Sequence, residues 1–200
     1  MKMKEILIRG AGALALAGLL AMPAGALTLK RADLDNLVAG NSIIVLAKVD
    51  GASSYWAPGT KLILTDFRLS TQKVLKGKVA EALSVTMMGG TVEEYTTLIP
   101  GGANLLPGRT YLLFLREESL PGTESVTTVA EHTQGVFDIV EQDGAQWAIS
   151  QAAGEALIPD EEEREGDPDV PGGAKGMSLD ELVRAIQSRV DQQTTGEGVK

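Results

Sequence analysis

The feature that most constrains the fold is a series of short apolar segments, each bounded by glycine, proline or a polar turn. Within these segments β-branched residues are frequent, or apolar and polar residues alternate with the period of a half-buried strand. Six or seven such segments at regular spacing predict an all-β barrel or sandwich rather than alternating strands and helices. The predicted strands cover residues 42–49, 61–73, 82–88, 109–115, 125–130, 135–141 and 146–150.

Two stretches between these segments are predicted as loops because they are rich in glycine, proline and polar residues. Residues 51–59 carry an aromatic pair, and residues 89–108 carry exposed apolar residues between two Gly-Gly pairs. An aromatic pair in a loop stacks on a sugar or peptide, or closes the open end of a barrel. A long loop with apolar residues is a plausible contact surface. The candidate binding residues are therefore Tyr55, Trp56, Tyr95, Leu98 and Ile99.

Helices are predicted at both ends of the strand series. Residues 33–39 have apolar positions at helical spacing and are followed by Gly40, a common helix stop. Residues 178–191 begin with a capping box, in which Ser178 and Glu181 satisfy reciprocal backbone N–H groups. The apolar face of this second helix needs a surface to cover, and we expect it to pack on the strands.

The start of the chain has the order of features of a secretory signal peptide. Two lysines and an arginine precede an apolar run over residues 11–22, and a small-residue triplet ends at Ala26. The run is shorter than the ~20 apolar residues of a spanning helix, which favours cleavage after Ala26 over an anchor. The protein is then expected in the periplasm or outside the cell. Losing three basic residues and one acidic residue changes the net charge from −9 to −11.

Composition also predicts how the rest of the chain is organised. The segment at 159–177 is acidic and contains several proline and glycine residues. It cannot bury enough apolar surface to order itself, so it is predicted as a disordered linker. The predicted organisation is a signal peptide at 1–26, a β-domain at 27–158, the linker at 159–177, the amphipathic helix at 178–191 and a disordered tail at 192–200.

Residue counts exclude several kinds of site. The chain has no cysteine and a single histidine, so disulfides, thiolate metal sites and multi-histidine zinc sites are unavailable. We predict no cofactor and no metal. The net charge of −9 argues against a nucleic-acid partner, because phosphates call for a basic surface. The one conventional base, His132, precedes a predicted strand and lacks a nucleophile elbow, so a surface or turn role is expected rather than catalysis.

Two alternatives to a binding function remain open. The acidic pairs Glu93-Glu94 and Glu117-Glu118 lie near predicted strand ends, and paired carboxylates are the machinery of glycoside hydrolysis. A carboxylate-dependent hydrolase acting on envelope or sugar polymers would need two carboxyl groups about 5–10 Å apart in a cleft. A purely structural envelope component would instead need an oligomer or a surface partner.

The order of several short motifs resembles that of a known group of domains. The succession of Leu75-Lys-Gly77, Gly89-Gly90, the segment 107–115 (PGRTYLLFL) and Gly135-Val-Phe137 resembles that of uncharacterised exported bacterial domains. The arrangement is more distantly similar to the OB-like barrel of tissue inhibitors of metalloproteinases and netrin-like modules. The resemblance implies an OB-like, closed or partly open barrel of five to seven strands, and a binding, non-catalytic role. The zinc-chelating N-terminal cysteine of the inhibitors has no counterpart here, so no inhibitory residue is carried over.

Together these observations predict an exported, non-enzymatic binding module that contacts another exported or envelope protein. A protease is one version of that partner. No catalytic residue is assigned, because the sequence contains no complete catalytic constellation.

Overall fold

A computed structural model describes residues 32–153 and 176–197. The predicted signal peptide, its cleavage point and most of the predicted linker lie outside the described residues. The described chain is mostly β, with one helix at each end. Its helices are α1 (Leu34–Gly40) and α2 (Leu179–Glu197), and its strands are β1 (Ile43–Trp56), β2 (Ile63–Lys76), β3 (Ala82–Met88), β4 (Gly90–Val92), β5 (Tyr95–Thr97), β6 (Thr110–Glu118), β7 (Val126–Val129), β8 (Val136–Gln142), β9 (Ala145–Ser150) and β10 (Met177–Ser178).

The strands form one large antiparallel sheet and one small hairpin. The order in the large sheet is β10-β9-β8-β6-β1-β2-β3, and β7 pairs with the second half of β6. Strands β4 and β5 pair only with each other among the described strands. No hydrogen-bonded ladder joins β3 to β7 in the described residues, so the sheet is not closed by backbone pairing. The two strands nevertheless lie side by side.

The predicted loop at 51–59 is wrong in its first half, because β1 continues to Trp56. Ser53, Ser54 and Tyr55 pair with successive residues of β2. The register between β1 and β2 shifts between Val49 and Gly51, and the two strands are paired on both sides of this irregularity. This half of the strand is largely solvent-exposed, so its sequence carries none of the apolar alternation that identifies a strand.

The stretch 89–108, predicted as one loop, contains the β4–β5 hairpin. The hairpin turn places Glu93 at a positive φ of 53°. The strands are three residues each, and the paired positions are mostly threonine and glycine. Strands this short and polar give no periodic signal, whereas the glycines around them are typical of a loop.

The core lies on both faces of β1 and β6. On one face Ile44, Leu112 and Phe114 pack beneath the two helices. On the other face Val45 and Leu113 pack with residues of β2 and β3. Successive side chains of a strand point to opposite faces, so burial on both sides explains the unbroken apolar runs in these strands.

Helix α2 packs against α1 and the sheet. Its residues Leu182 and Ile186 are fully buried in the same cluster as Leu34 and Leu37. The predicted capping box is present, since the backbone N–H of Glu181 donates to Ser178 Oγ, and Glu181 accepts from the Ser178 backbone and hydroxyl. The apolar face of the C-terminal helix is thus covered by the chain itself.

Candidate functional site

The aromatic side chains Trp56 and Tyr95 meet at the surface, where the end of β1 faces the hairpin. Their ring centroids are 5.6 Å apart and their planes are inclined at 63°, an edge-to-face contact. Trp56 is 43% exposed, Tyr95 is 54% exposed, and Leu98, just after the hairpin, is 82% exposed. We call these three residues the hairpin surface. Because both rings are about half exposed and Leu98 is almost fully exposed, the hairpin surface presents apolar area to solvent.

The hairpin is held on the sheet by backbone and hydroxyl groups. The Gly89 N–H donates to the carbonyl of Ile63 at 2.8 Å, and Thr65 Oγ1 donates to the carbonyl of Gly89 at 2.7 Å. Thr65 Oγ1 is also 2.8 Å from Ser54 Oγ. A Cβ at Gly90 would lie 2.2 Å from Thr65 Oγ1, so only glycine allows this close approach. These contacts therefore fix the hairpin, which carries Tyr95, on the sheet, which carries Trp56.

The other two candidate binding residues lie elsewhere. Tyr55 precedes Trp56 on the strand and points to the opposite face, where it packs near Leu64 and Leu120. Its hydroxyl donates to Asp66 Oδ1 at 3.3 Å. Partial burial, and then the negative charge and hydrogen bond of Asp66, raise the pKa of Tyr55 above its ordinary value. Ile99 is partly buried and lines a neighbouring cleft.

That cleft, of about 150 Å³, opens where β3 lies beside β7. We call it the seam cleft. One side of the cleft comes from the end of β3, the segment after the hairpin and the start of the β6–β7 connection. The other side comes from β6, β7 and the residues that follow β7. The apolar residues are Met87, Met88, Ile99, Ala103, Leu120 and Val129, and the polar ones are Arg116, Glu118, Thr128, Glu131 and His132.

Arg116 joins the two carboxylates of the seam cleft. Its Nε donates to Glu118 at 3.0 Å and its Nη1 donates to Glu131 at 2.9 Å. Partial burial disfavours the guanidinium charge, but hydrogen bonds and attraction from Glu118 and Glu131 outweigh it and raise the pKa of Arg116. Both carboxylates are therefore engaged by one permanently charged group.

The backbone beside this network is in an uncommon conformation. Glu131 and His132 have φ values of 51° and 55°, in the left-handed region that side chains disfavour. A short 3-10 helix spans His132–Gly135. At its last residue, a Cβ on Gly135 would lie 2.2 Å from the carbonyl oxygen of Ala130. Two consecutive residues of this kind cost on the order of 1–3 kcal/mol each. The rest of the fold must therefore hold the backbone of Glu131 and His132 in this conformation.

The carboxylates named for the hydrolase alternative are scattered. Glu93 and Glu94 lie in the exposed hairpin turn. Glu117 accepts hydrogen bonds from the hydroxyls of Ser125 and Thr127, at 3.0 and 2.6 Å. Of these four, only Glu118 lines the seam cleft, where it is paired with Arg116.

The sequence patterns single out His132, Ile99 and Glu118 but not the other residues that line the cleft. Arg116, Glu131 and the methionine pair of β3 come from segments that are far apart in sequence. The one local signal is a Met-Met pair at the end of a predicted strand, directly before Gly89-Gly90. An adjacent methionine pair is more often part of a core, so this signal does not by itself indicate a cleft.

Neither α1 nor α2 combines the length and hydropathy that a bilayer-crossing helix requires. Within residues 32–153 and 176–197, no three histidine or carboxylate side chains are grouped as metal ligands. The sequence matches no protein-family model, and no curated protein is significantly similar to it.

Proposed function

We propose that this protein is an exported, non-enzymatic binding module that contacts another exported or envelope protein through the hairpin surface. The observation that carries the proposal is the contact between Trp56 and Tyr95, two rings that are each about half exposed. Hydrogen bonds fix the hairpin on the sheet and so hold the two rings together. Export rests on the signal-peptide features of residues 1–26. Cleavage after Ala26 predicts that the protein recovered from outside the cytoplasm begins at Leu27, which intact-mass measurement tests.

An OB-like, partly open barrel is proposed as the scaffold. In support, β1 pairs with β2 and β6, β2 pairs with β3, and β6 pairs with β7. The strand contact between β3 and β7 brings the two ends of this five-strand series together. A five-stranded, partly open Greek-key barrel is the OB architecture, and its loops are common binding sites.

The chemistry of the hairpin surface favours a protein partner. Tryptophan and tyrosine are enriched among the residues that dominate protein–protein binding energy, because they bury much area at little entropic cost. Leu98 adds an exposed aliphatic side chain, whereas a sugar site also needs polar groups placed to hydrogen-bond with the sugar hydroxyls. Truncating such an anchor costs about 2 kcal/mol or more of binding free energy, close to a thirtyfold loss of affinity.

Site-specific photo-crosslinking tests this proposal. A photoreactive amino acid replaces Leu98 in the full-length protein, expressed in the organism that produces it, and the exported fraction is irradiated. The matched control places the same amino acid at Val74, which is 41% exposed near the far end of β2. Both positions tolerate a large side chain because both are on the surface.

The proposal predicts one crosslinked exported protein from position 98 and none of it from position 74. A crosslinked product of the same identity and yield from both positions would overturn the proposal, because contact would then be unspecific. So would the absence of any crosslink at position 98 when the protein is folded and exported.

A further inference from the structure

The outer edge of β5 is free. Strand β5 pairs with β4, and it pairs with no second strand within residues 32–153 and 176–197. Strand β4 lies on the inner side of the hairpin, against β1 and β2. Tyr95 and Thr96 are both exposed, as expected for residues at a free edge. Such an edge presents backbone N–H and C=O groups with which another strand can pair.

The register of the hairpin identifies the backbone groups that point outward. Val92 and Tyr95 flank the two-residue turn, and a pair in this position exchanges its backbone hydrogen bonds within the hairpin. The next pair, Thr91 and Thr96, is therefore of the non-hydrogen-bonded kind, in which the side chains lie closer together. In agreement, the two threonine hydroxyls are 2.9 Å apart. The N–H and C=O of Thr96 consequently point away from β4, toward the free side.

The β5 edge lacks three features that often prevent strand addition, which are lysine, proline and a β-bulge. It consists of one tyrosine and two threonines, residue types that favour strands, and it pairs with β4 without a register shift. The hydrogen bonds at Gly89 and Thr65 hold the hairpin on the sheet. The edge therefore has its strand conformation before any partner binds.

The side chains around the edge indicate which added strand would fit. Tyr95 presents a half-exposed ring beside Trp56. Glu94 in the turn and Leu98 just after the strand lie at the two ends of the edge, and both are exposed. Among the described residues no lysine or arginine forms an ion pair with Glu94. A complementary strand would thus carry a basic residue at one end and apolar residues at the middle and the other end.

We propose that the β5 edge receives an extended segment of the partner protein as an added antiparallel strand, paired with the backbone of Thr96. The segment carries one apolar residue opposite Leu98, another opposite Tyr95 and a basic residue opposite Glu94. Because β5 is short, the backbone supplies one exchanged pair of hydrogen bonds and these side chains supply the remaining contacts. The inference rests on the proposed function, because it specifies how the hairpin surface holds its partner.

NMR titration of the purified exported protein with defined peptides tests the pairing. The probe is acetyl-Leu-Thr-Val-Phe-Lys-amide, whose valine lies opposite Thr96 in the proposed register. Methylation of its valine nitrogen removes the N–H that would donate to the Thr96 carbonyl, whereas methylation of its phenylalanine nitrogen removes an N–H that would face solvent. The reversed peptide, acetyl-Lys-Phe-Val-Thr-Leu-amide, has the same composition and is the control for strand direction.

Two substitutions at Thr96 make the matching test on the protein. Thr96→Pro removes the outward N–H, and proline is tolerated at an edge position whose N–H faces solvent. Thr96→Val keeps the N–H and the β-branched shape and is the matched control. The indole NMR signal of Trp56 shows whether the hairpin keeps its place in each variant. If Thr96→Pro displaces the hairpin, the two methylated peptides decide.

The expected result is a saturable shift of the backbone signals of Thr96 and its hairpin neighbours. Methylation of the valine nitrogen and Thr96→Pro should each weaken binding about fivefold, the equivalent of one hydrogen bond. Methylation of the phenylalanine nitrogen and Thr96→Val should each change Kd by less than about twofold. The reversed peptide should bind about fivefold more weakly. Glutamate in place of the peptide's lysine should weaken binding about threefold, and Glu94→Gln should reduce that difference.

Four results would overturn the inference. The probe could fail to shift the hairpin signals at millimolar concentration. The two methylated peptides could bind equally well, which would exclude backbone pairing at Thr96. The reversed peptide could bind as tightly, which would exclude the antiparallel register, or the exchange of lysine for glutamate could have no effect, which would exclude the charge pairing.

The crosslink at position 98 is measured separately from the peptide titration, so the two proposals can fail separately. A crosslinked partner together with a negative titration would leave the hairpin surface as the binding site and would overturn strand addition alone. A positive titration without a crosslinked partner would support the β5 edge as a strand-pairing site and would overturn the proposed function.

Discussion

The ring of Trp56, at the end of β1, meets the ring of Tyr95 on the hairpin edge to face, with centroids 5.6 Å apart. Each ring shields part of the other, and both remain about half exposed. Such a contact contributes about 0.5–1.5 kcal/mol beyond the area it buries. It therefore joins the hairpin to the sheet and leaves an aromatic surface exposed to solvent.

Replacing Tyr95 by alanine should expose Trp56 without unfolding the protein. In a Trp147→Phe background, where Trp56 is the one remaining tryptophan, we expect a red-shifted emission and stronger quenching by iodide. Leu106→Ala removes another exposed apolar side chain and is the control that should leave the emission unchanged. Unchanged quenching in Tyr95→Ala would show that the two rings do not shield each other in solution.

Alanine at Gly90 should destabilise the protein and displace the hairpin. The added Cβ would lie 2.2 Å from Thr65 Oγ1 and 2.5 Å from Ser54 Oγ, and φ is 128°. The expected loss in the free energy of unfolding is about 1–3 kcal/mol, measured by urea titration. Gly101→Ala shares the positive φ but has open space around its Cβ, so its cost should be smaller. Equal costs at the two glycines would contradict the close seating of the hairpin.

Truncating the buried face of α2 should weaken the whole fold. Leu182 and Ile186 are fully buried against α1 and the sheet. Leu182→Ala and Ile186→Ala should each lower the free energy of unfolding by about 2–5 kcal/mol. Ser188→Ala, on the exposed side of the same helix, should change it by less than about 0.5 kcal/mol. A small effect at Leu182 and Ile186 would mean that the helix leaves the sheet in solution.

The capping box of α2 should make part of the stability depend on pH. Hydrogen bonds from the Ser178 side chain and backbone lower the pKa of Glu181 below its ordinary value. A lowered pKa in the folded state stabilises the protein above the ordinary glutamate pKa, and this contribution is lost as pH falls through the lowered value.

Ser178→Ala removes the largest cause of that shift, so the pKa of Glu181 should rise toward its ordinary value in carboxyl ¹³C NMR. The difference in unfolding free energy between wild type and Ser178→Ala should be larger at pH 7 than at pH 3. Ser188→Ala should show no such pH dependence. A difference that is the same at both pH values would contradict a role for ionised Glu181 in the cap.

The helices and most strands could be predicted because local chemistry and burial agree in them. The run at Ile43–Ala47 is apolar on both faces, and it lies between two core clusters. The capping residues Ser178 and Glu181 identify the start of α2 before any packing is considered. The outer half of β1 could not be predicted, because Ser53 and Ser54 are in a strand only through their pairing with β2.

The candidate site could be predicted only where its residues stand out individually. Trp56, Tyr95 and Leu98 do so because large apolar residues in a glycine-rich stretch have no core to join. The register of β1 decides that Trp56 faces the hairpin and Tyr55 faces the other way. The contact between Trp56 and Tyr95 also depends on where the hairpin packs on the sheet. The seam cleft depends on the long-range approach of β3 and β7, which no local pattern encodes.

The affinity of the crosslinked partner tests the central claim most directly. With that partner purified, isothermal titration calorimetry would compare the wild-type protein with Trp56→Ala, Tyr95→Ala and the control Val74→Ala. We predict that each aromatic substitution weakens binding at least tenfold, and that Val74→Ala changes Kd by less than twofold. Equal affinities for all four proteins would contradict the claim that the hairpin surface is the binding site.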